Sequence, residues 1–117
     1  MSLCARRRAC QRAPSSSPLL SIAIHVFVAI ALHHAAPEHE AEFIDFMHRV
    51  IERTAGAPGL IEFKATRDPN SGFLAGFSRW ESEEAFKAAL PTIGSLSHER
   101  KPEWSTKPDE VITLVEV

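Results

Sequence analysis

Phe73-Leu74-Ala75-Gly76-Phe77-Ser78-Arg79-Trp80-Glu81-Ser82-Glu83-Glu84-Ala85-Phe86-Lys87-Ala88-Ala89-Leu90 is the stretch that decides the fold. It reads as a strand from Phe73 to Trp80, a corner at Trp80–Glu81, and a helix beginning at Ser82. Ser82 is a residue type that caps a helix through its hydroxyl, and Glu83 and Glu84 suit the positive end of the helix dipole. Ala85, Phe86, Ala89 and Leu90 form the apolar stripe, and Pro91 and Gly94 are expected to break the helix. Trp80 falls at the seam between sheet and helix.

Upstream of this stretch, Asp68-Pro69-Asn70-Ser71-Gly72 is a turn by composition. Gly59 to Arg67 precedes it as a strand, with Ile61, Phe63 and Ala65 on one face. The two strands therefore make an antiparallel hairpin. Further upstream, Pro37 and Glu38, Glu40 and Glu42 open a helix carrying Phe43, Met47, Val50 and Ile51 at helical spacing. Gly56 and Pro58 end it. Ser21 to His33 alternates. Ile22, Ile24, Val26, Val28, Ile30 and Leu32 hold one parity, and Ala23, His25, Phe27, Ala29, Ala31 and His33 the other, which is the period of a strand. Downstream, residues 91–110 are irregular, with a helical turn near Thr92–Arg100, and Val111 to Val117 is the last strand.

The order β-α-β-β-α-β predicts an α+β, ferredoxin-like domain: a four-stranded antiparallel sheet with two helices on one face. The other sheet face is left partly apolar and uncovered. Pairing two sheets face to face covers it, so a homodimer is expected.

Composition narrows the function classes. A net charge of −2 supplies no basic field, and nucleic acid is not an expected partner. Cys4 and Cys10 lie in the first ten residues without CxxC spacing, which argues against a disulfide framework and fits a reducing cytoplasm. Residues 1–18 combine Arg6, Arg7, Arg8 and Arg12 with serine and proline and read as a disordered arm; the domain proper spans 19–117. Arginines ahead of Leu19–Leu32 also resemble a signal or transit peptide. The alternation, and His25 in the middle of the run, argue instead for a strand and against a membrane-directed segment.

Several residues could carry chemistry. Trp80 is either a flat wall for an aromatic ligand or a core aromatic locking helix to strand. His25, beside Phe27 on the small-residue parity, is either a base for a phenol or an interface histidine. His98, Arg100 and Trp104 in the long connection are either a lid over an anionic aromatic ligand or a surface loop anchored by Trp104. His33, His34 and His39 invite a metal reading, but neighbouring strand residues point opposite ways, so no metal site is expected. No phosphate loop, dinucleotide fingerprint or Ser-His-Asp arrangement is present in the sequence.

Pro37-x-His39-Glu40-Ala41-Glu42-Phe43, Gly56-x-Pro58-Gly59 and Ser78-Arg79-Trp80-Glu81-Ser82-x-Glu84-Ala85-Phe86 together resemble the antibiotic biosynthesis monooxygenase domain, of the dimeric α+β barrel superfamily. The resemblance runs from Ser21 to Val117. It implies a dimer and, in some members, oxidation of polycyclic phenols to quinones by molecular oxygen without cofactor; relatives degrade haem or act on quorum-signal sugars. In the oxygenases and haem degraders a strand-one Asn and a strand-three Trp line the pocket. Trp80 matches the Trp. The Asn has no counterpart, since Asn70 sits in the hairpin turn, and the chain has no Tyr. The haem degraders use a His after helix two, the region of His98. The expectation is therefore an oxidoreductase acting on a small aromatic or phenolic molecule without cofactor, with His25 and His98 as candidate bases and Trp80, Phe27, Trp104 and Arg100 as candidate binding residues. The alternative is a non-catalytic dimer that binds a small hydrophobic ligand or serves as an accessory protein.

Overall fold

The computed structural model describes residues 25–117. The arm at 1–18 and the start of the first expected strand lie outside the described residues. Four strands form one antiparallel sheet: β1 (Phe27–Ala35), β2 (Leu60–Arg67), β3 (Leu74–Trp80) and β4 (Ser105–Val115), in the order β2-β3-β1-β4. Helix α1 (Glu40–Thr54) follows β1, and helix α2 (Glu83–Ile93) follows β3. This is the ferredoxin-like β-α-β-β-α-β architecture read from the sequence.

Local chemistry sets the element ends. The backbone N–H of Ala85 donates to the Ser82 hydroxyl at 3.1 Å, capping α2. The helix continues through Pro91 and stops at Gly94. Pro91 stands in the last turn, where it removes one ladder bond, and the helix ends two residues later. Residues 91–110, read as irregular, hold two 3₁₀ turns, Gly94–Glu99 and Pro102–Trp104, and the first part of β4. That strand begins at Ser105 rather than Val111, and Pro108 hid its start, because proline signals a loop when no strand register is known.

Two irregularities steer side chains. Between β2 and β3 the register shifts between Leu60 and Glu62, so Leu60 joins the helix-facing row with Phe63 and Ala65 while Ile61 is exposed. Simple alternation had placed Ile61 in that row. Between β1 and β4, Leu32 pairs with Glu110 but His34 pairs with Lys107, leaving one surplus residue on β4. Pro108 sits in this bulge, where its missing N–H costs the ladder least.

The helix-facing row of the sheet is Phe27, Ala29, Ala31 and His33 on β1 and Leu74, Gly76, Ser78 and Trp80 on β3, paired by register. Phe43, Phe46, Met47 and Val50 of α1 pack over one end, with Leu74, Leu96 and Trp104. Phe27, Ala29, Trp80 and Ala89 pack at the other, with Ala85 and Phe86 against them. No helix among the described residues is long and apolar enough to cross a membrane.

Candidate functional site

Where the row is small, the sheet and helices leave a gap between them. Ala29 stands opposite Ser78 and Ala31 opposite Gly76, so four small residues form a floor in the middle of the sheet. Phe46, Met47, Val50 and Ile51 of α1 and Phe86, Leu90 and Ile93 of α2 stand above it. They enclose a largely apolar cavity of about 290 Å³. That volume lies near the lower bound of small-molecule sites, roughly 300–1,000 Å³.

Polar groups collect at one end. His33, Arg100, Asp109 and Ser97 complete the lining there. His33 stands opposite Pro108 and Asp109 within the β1–β4 bulge, between the Leu32–Glu110 and His34–Lys107 pairs. His33 Nδ1 lies 3.0 Å from Asp109 Oδ1, at ion-pair range but off a hydrogen-bond axis. Arg100 donates to both Asp109 carboxylate oxygens, at 2.5 and 2.6 Å, and to the Ser105 hydroxyl at 2.9 Å. Its guanidinium also stacks 4.7 Å from the Phe43 ring centre, and the His33 ring lies 5.0 Å from the same ring. Phe43 thus packs against both polar side chains and limits their rotation.

Charge states follow from these contacts. Burial, the largest influence, lowers the His33 imidazole pKa; the Asp109 hydrogen-bonding and charge effects oppose it, and Arg100 and His34 add to the lowering. Burial acts to raise Asp109, but Arg100 and His33 together hold its carboxyl below the usual range. Near neutral pH the group is a neutral base beside an ion pair whose charges cancel.

The candidates read from the sequence are scattered around this cavity. Arg100 lines it, but its charge is engaged by Asp109 and is not available to an anionic ligand. Trp80 is fully buried behind the wall, not on it: its indole N–H donates to the Ser78 hydroxyl at 2.8 Å, and its ring packs edge-on against Phe86. Ser78 and Phe86 do line the cavity, so Trp80 shapes it through them. Phe27 is buried beside Phe86, 5.4 Å between ring centres, outside the lining. Trp104 is buried against Phe43 and Phe46. Its backbone carbonyl accepts from Ala36 N–H at 2.7 Å, fastening the long connection to the end of β1. His25 is exposed ahead of β1, and His98 is exposed with only Glu99 near it, at 3.9 Å. His34 turns to the opposite sheet face and pairs with Glu110 at 3.0 Å. Among the described residues no group of three His, Cys, Asp or Glu is placed to hold a metal ion.

Sequence reasoning missed His33 and Asp109 as a pair. His33 shared a parity with Ala29 and Ala31, which placed it over the small-residue floor. Asp109 had no such signal, because its strand was read as loop.

The geometry has known parallels. Rv0793 from Mycobacterium tuberculosis superposes with a TM-score of 0.68 at 18% identity, over 79% of this chain and 95% of that one. A conserved protein from Methanosarcina mazei gives 0.70 at 16% identity, over 81% and 96%. The haem degrader MhuD from Mycobacterium tuberculosis, with two haems bound in its active site, gives 0.64 at 19% identity, over 78% and 95%. At such identities the likeness speaks for the fold. No curated protein matches. The family model for antibiotic biosynthesis monooxygenase matches residues 26–92, which is more than half the chain and takes in β1, both helices and the floor of the cavity. The chain belongs to the antibiotic biosynthesis monooxygenase family.

Proposed function

We propose that the protein oxygenates a small aromatic phenol inside the cavity between sheet and helices, without a cofactor. The observation that carries this reading is the cavity itself: apolar walls, a floor of Ala29, Ala31, Gly76 and Ser78, and one titratable base, His33, at its polar end. An apolar, partly open space suits a flat hydrophobic ring, and the few polar groups can orient its hydroxyl. Burial favours an uncharged base, which takes a proton more readily than a protonated imidazole would.

The reaction balances with dioxygen as the only co-reactant. A deprotonated phenol carries raised electron density on its ring and can reduce dioxygen directly. One oxygen atom bonds to the ring carbon that loses its hydrogen, and the other leaves as water. The substrate becomes a quinone, and its four electrons go to the oxygen molecule. The volume favours a ligand of two or three fused rings over a porphyrin, so a macrocycle like that bound by MhuD is the less suitable substrate here.

The sheet face away from the helices carries Val28, Ile30, Leu32, Phe77, Ile112 and Leu114, and the last two are about half exposed. We infer that a second copy covers this face, making a homodimer around paired sheets.

The test is turnover of a hydroxylated anthracene-type phenol, read as quinone absorbance with one oxygen molecule consumed per quinone. Ala31→Leu serves as the blocking variant, because it fills the floor without adding a polar group. Turnover in the native protein, lost at least tenfold in Ala31→Leu at unchanged melting temperature, supports the reading. Tight binding of the phenol with no oxygen uptake identifies a binding protein instead, and equal turnover in both proteins places the chemistry elsewhere.

A further inference from the structure

We propose that Asp109 decides which ligands the cavity takes: by neutralising Arg100 it confines the site to aromatic molecules that are uncharged in water and bars aromatic carboxylates. This rests on the reading of the cavity as a site for a small aromatic ring.

The first support is the charge inventory of the lining. Arg100 and Asp109 are its only ionised side chains, and His33 is the only other titratable one. Burial lowers the His33 pKa, so the imidazole adds no positive charge near neutral pH. Lys101 and Lys107 stand on the outer side of the pair, around a surface depression that shares Ser97, Arg100 and Asp109 with the cavity but opens to water. The ion pair is thus the partition between that depression and the apolar interior.

The second support is how completely Arg100 is used. Its two terminal nitrogens donate to the two Asp109 oxygens, and one of them also to the Ser105 hydroxyl. The two side chains are 23% and 28% exposed, so most of the pair lies out of water, where an unbalanced charge is costly. A carboxylate ligand moving in from water loses hydration and meets an Arg100 already matched by a carboxylate of this chain. Its charge also comes to lie beside that of Asp109. A phenol, uncharged in neutral water, is spared both costs. Rejection of this kind comes from an unmade pairing and a like charge rather than from a poorer fit.

The third support is that the Arg100 fork is held independently of Asp109. Arg100 keeps the Ser105 hydroxyl, and its guanidinium lies 4.7 Å from the Phe43 ring centre. Removing the Asp109 carboxylate therefore leaves a cation at the polar end of the cavity, with the position of a carboxylate vacated in front of it. A planar fork of this kind takes a carboxylate through two parallel hydrogen bonds.

The probes are 2-naphthol and 2-naphthoate, which share a ring system and differ in charge at neutral pH, titrated calorimetrically into the full chain without oxygen. The native protein is expected to bind the naphthol at least about tenfold more tightly than the naphthoate. Asp109→Ala should reverse this order, with naphthoate affinity raised at least about tenfold, and the double variant Arg100→Gln/Asp109→Ala should lose that gain. Asp109→Asn, which keeps the size of the side chain, should move the preference the same way and stands in if the alanine variant does not fold. Naphthoate bound by the native protein as tightly as naphthol, no gain of naphthoate binding in either folded Asp109 variant, or a gain that survives the removal of Arg100 each overturns the proposal while the cavity remains an aromatic site. If the native protein binds neither probe and does not turn over the hydroxyanthracene, the phenol-site reading fails and this inference falls with it.

Discussion

At His33, burial holds the folded imidazole below its ordinary value of 6.5, even though Asp109 pulls the other way. The unfolded chain has no such burial and binds a proton near 6.5. Between the folded and unfolded values the unfolded state therefore carries more protons, so stability rises with pH there and is lost as pH falls through that window. Asp109 shows the second sign pattern. Its folded value lies below 3.8, so the stability it contributes is present above 3.8 and disappears as pH falls through the lowered value. Melting temperature is expected to drop in two separate acid steps. His33→Gln should flatten the upper step, just below pH 6.5, and leave the lower one, as scanning calorimetry from pH 8 to pH 3 would reveal. An unchanged upper step in the variant would assign it to another histidine.

Between elements, a tight joint is the turn that leads from α1 into β2. Gly59 has φ +83°, and a Cβ built on it would lie 2.6 Å from the Ala85 Cβ of α2. Gly56 has nearly the same backbone, φ +85°, with nothing within 4 Å of the added carbon. The pair separates conformational strain from collision. Gly56→Ala should cost about 1–2 kcal/mol for the left-handed backbone alone. Gly59→Ala adds the displacement of a helix and should cost at least about 1 kcal/mol more. Urea unfolding of both variants checks the difference, and equal losses would mean that α2 yields freely. These elements were legible in the sequence because each signal is local: Ser82 and two glutamates mark a helix start, and Gly56 with Pro58 marks a helix end. The register shifts were not legible. A bulge is a relation between strands, and neither Ile61 nor Pro108 announces which partner it stands against. Asp109 was lost with Pro108, and its contact with His33 went unread although His33 itself lay on the parity of the small-residue floor. Trp80 shows the opposite limit. Its place at the seam was readable, but whether it faced the cavity depended on how far Ser78 and Phe86 came between.

Across the whole molecule, helices cover one side of the sheet and the other side carries an apolar row. Leu114 is 51% exposed in the single chain, so Leu114→Glu should leave the isolated protomer folded. In a dimer built on that face it buries a charge without a partner, which is strongly unfavourable. The native protein is expected to sediment as a dimer at micromolar concentration and the variant as a monomer, and a native monomer would rule out the paired-sheet arrangement.

β4 forms the edge of the sheet. Its helix-facing row includes Asp109 and its far row includes Ile112 and Leu114, so the strand that fixes the carboxylate behind His33 is the same strand that a second copy would grip. Among the described residues, one of its two edges is laced to another strand, β1. Specific activity should therefore depend on how much protein is in the cuvette. At dilutions where protomers separate, β4 loses an external brace, and the rate per molecule is expected to fall even with saturating phenol and oxygen.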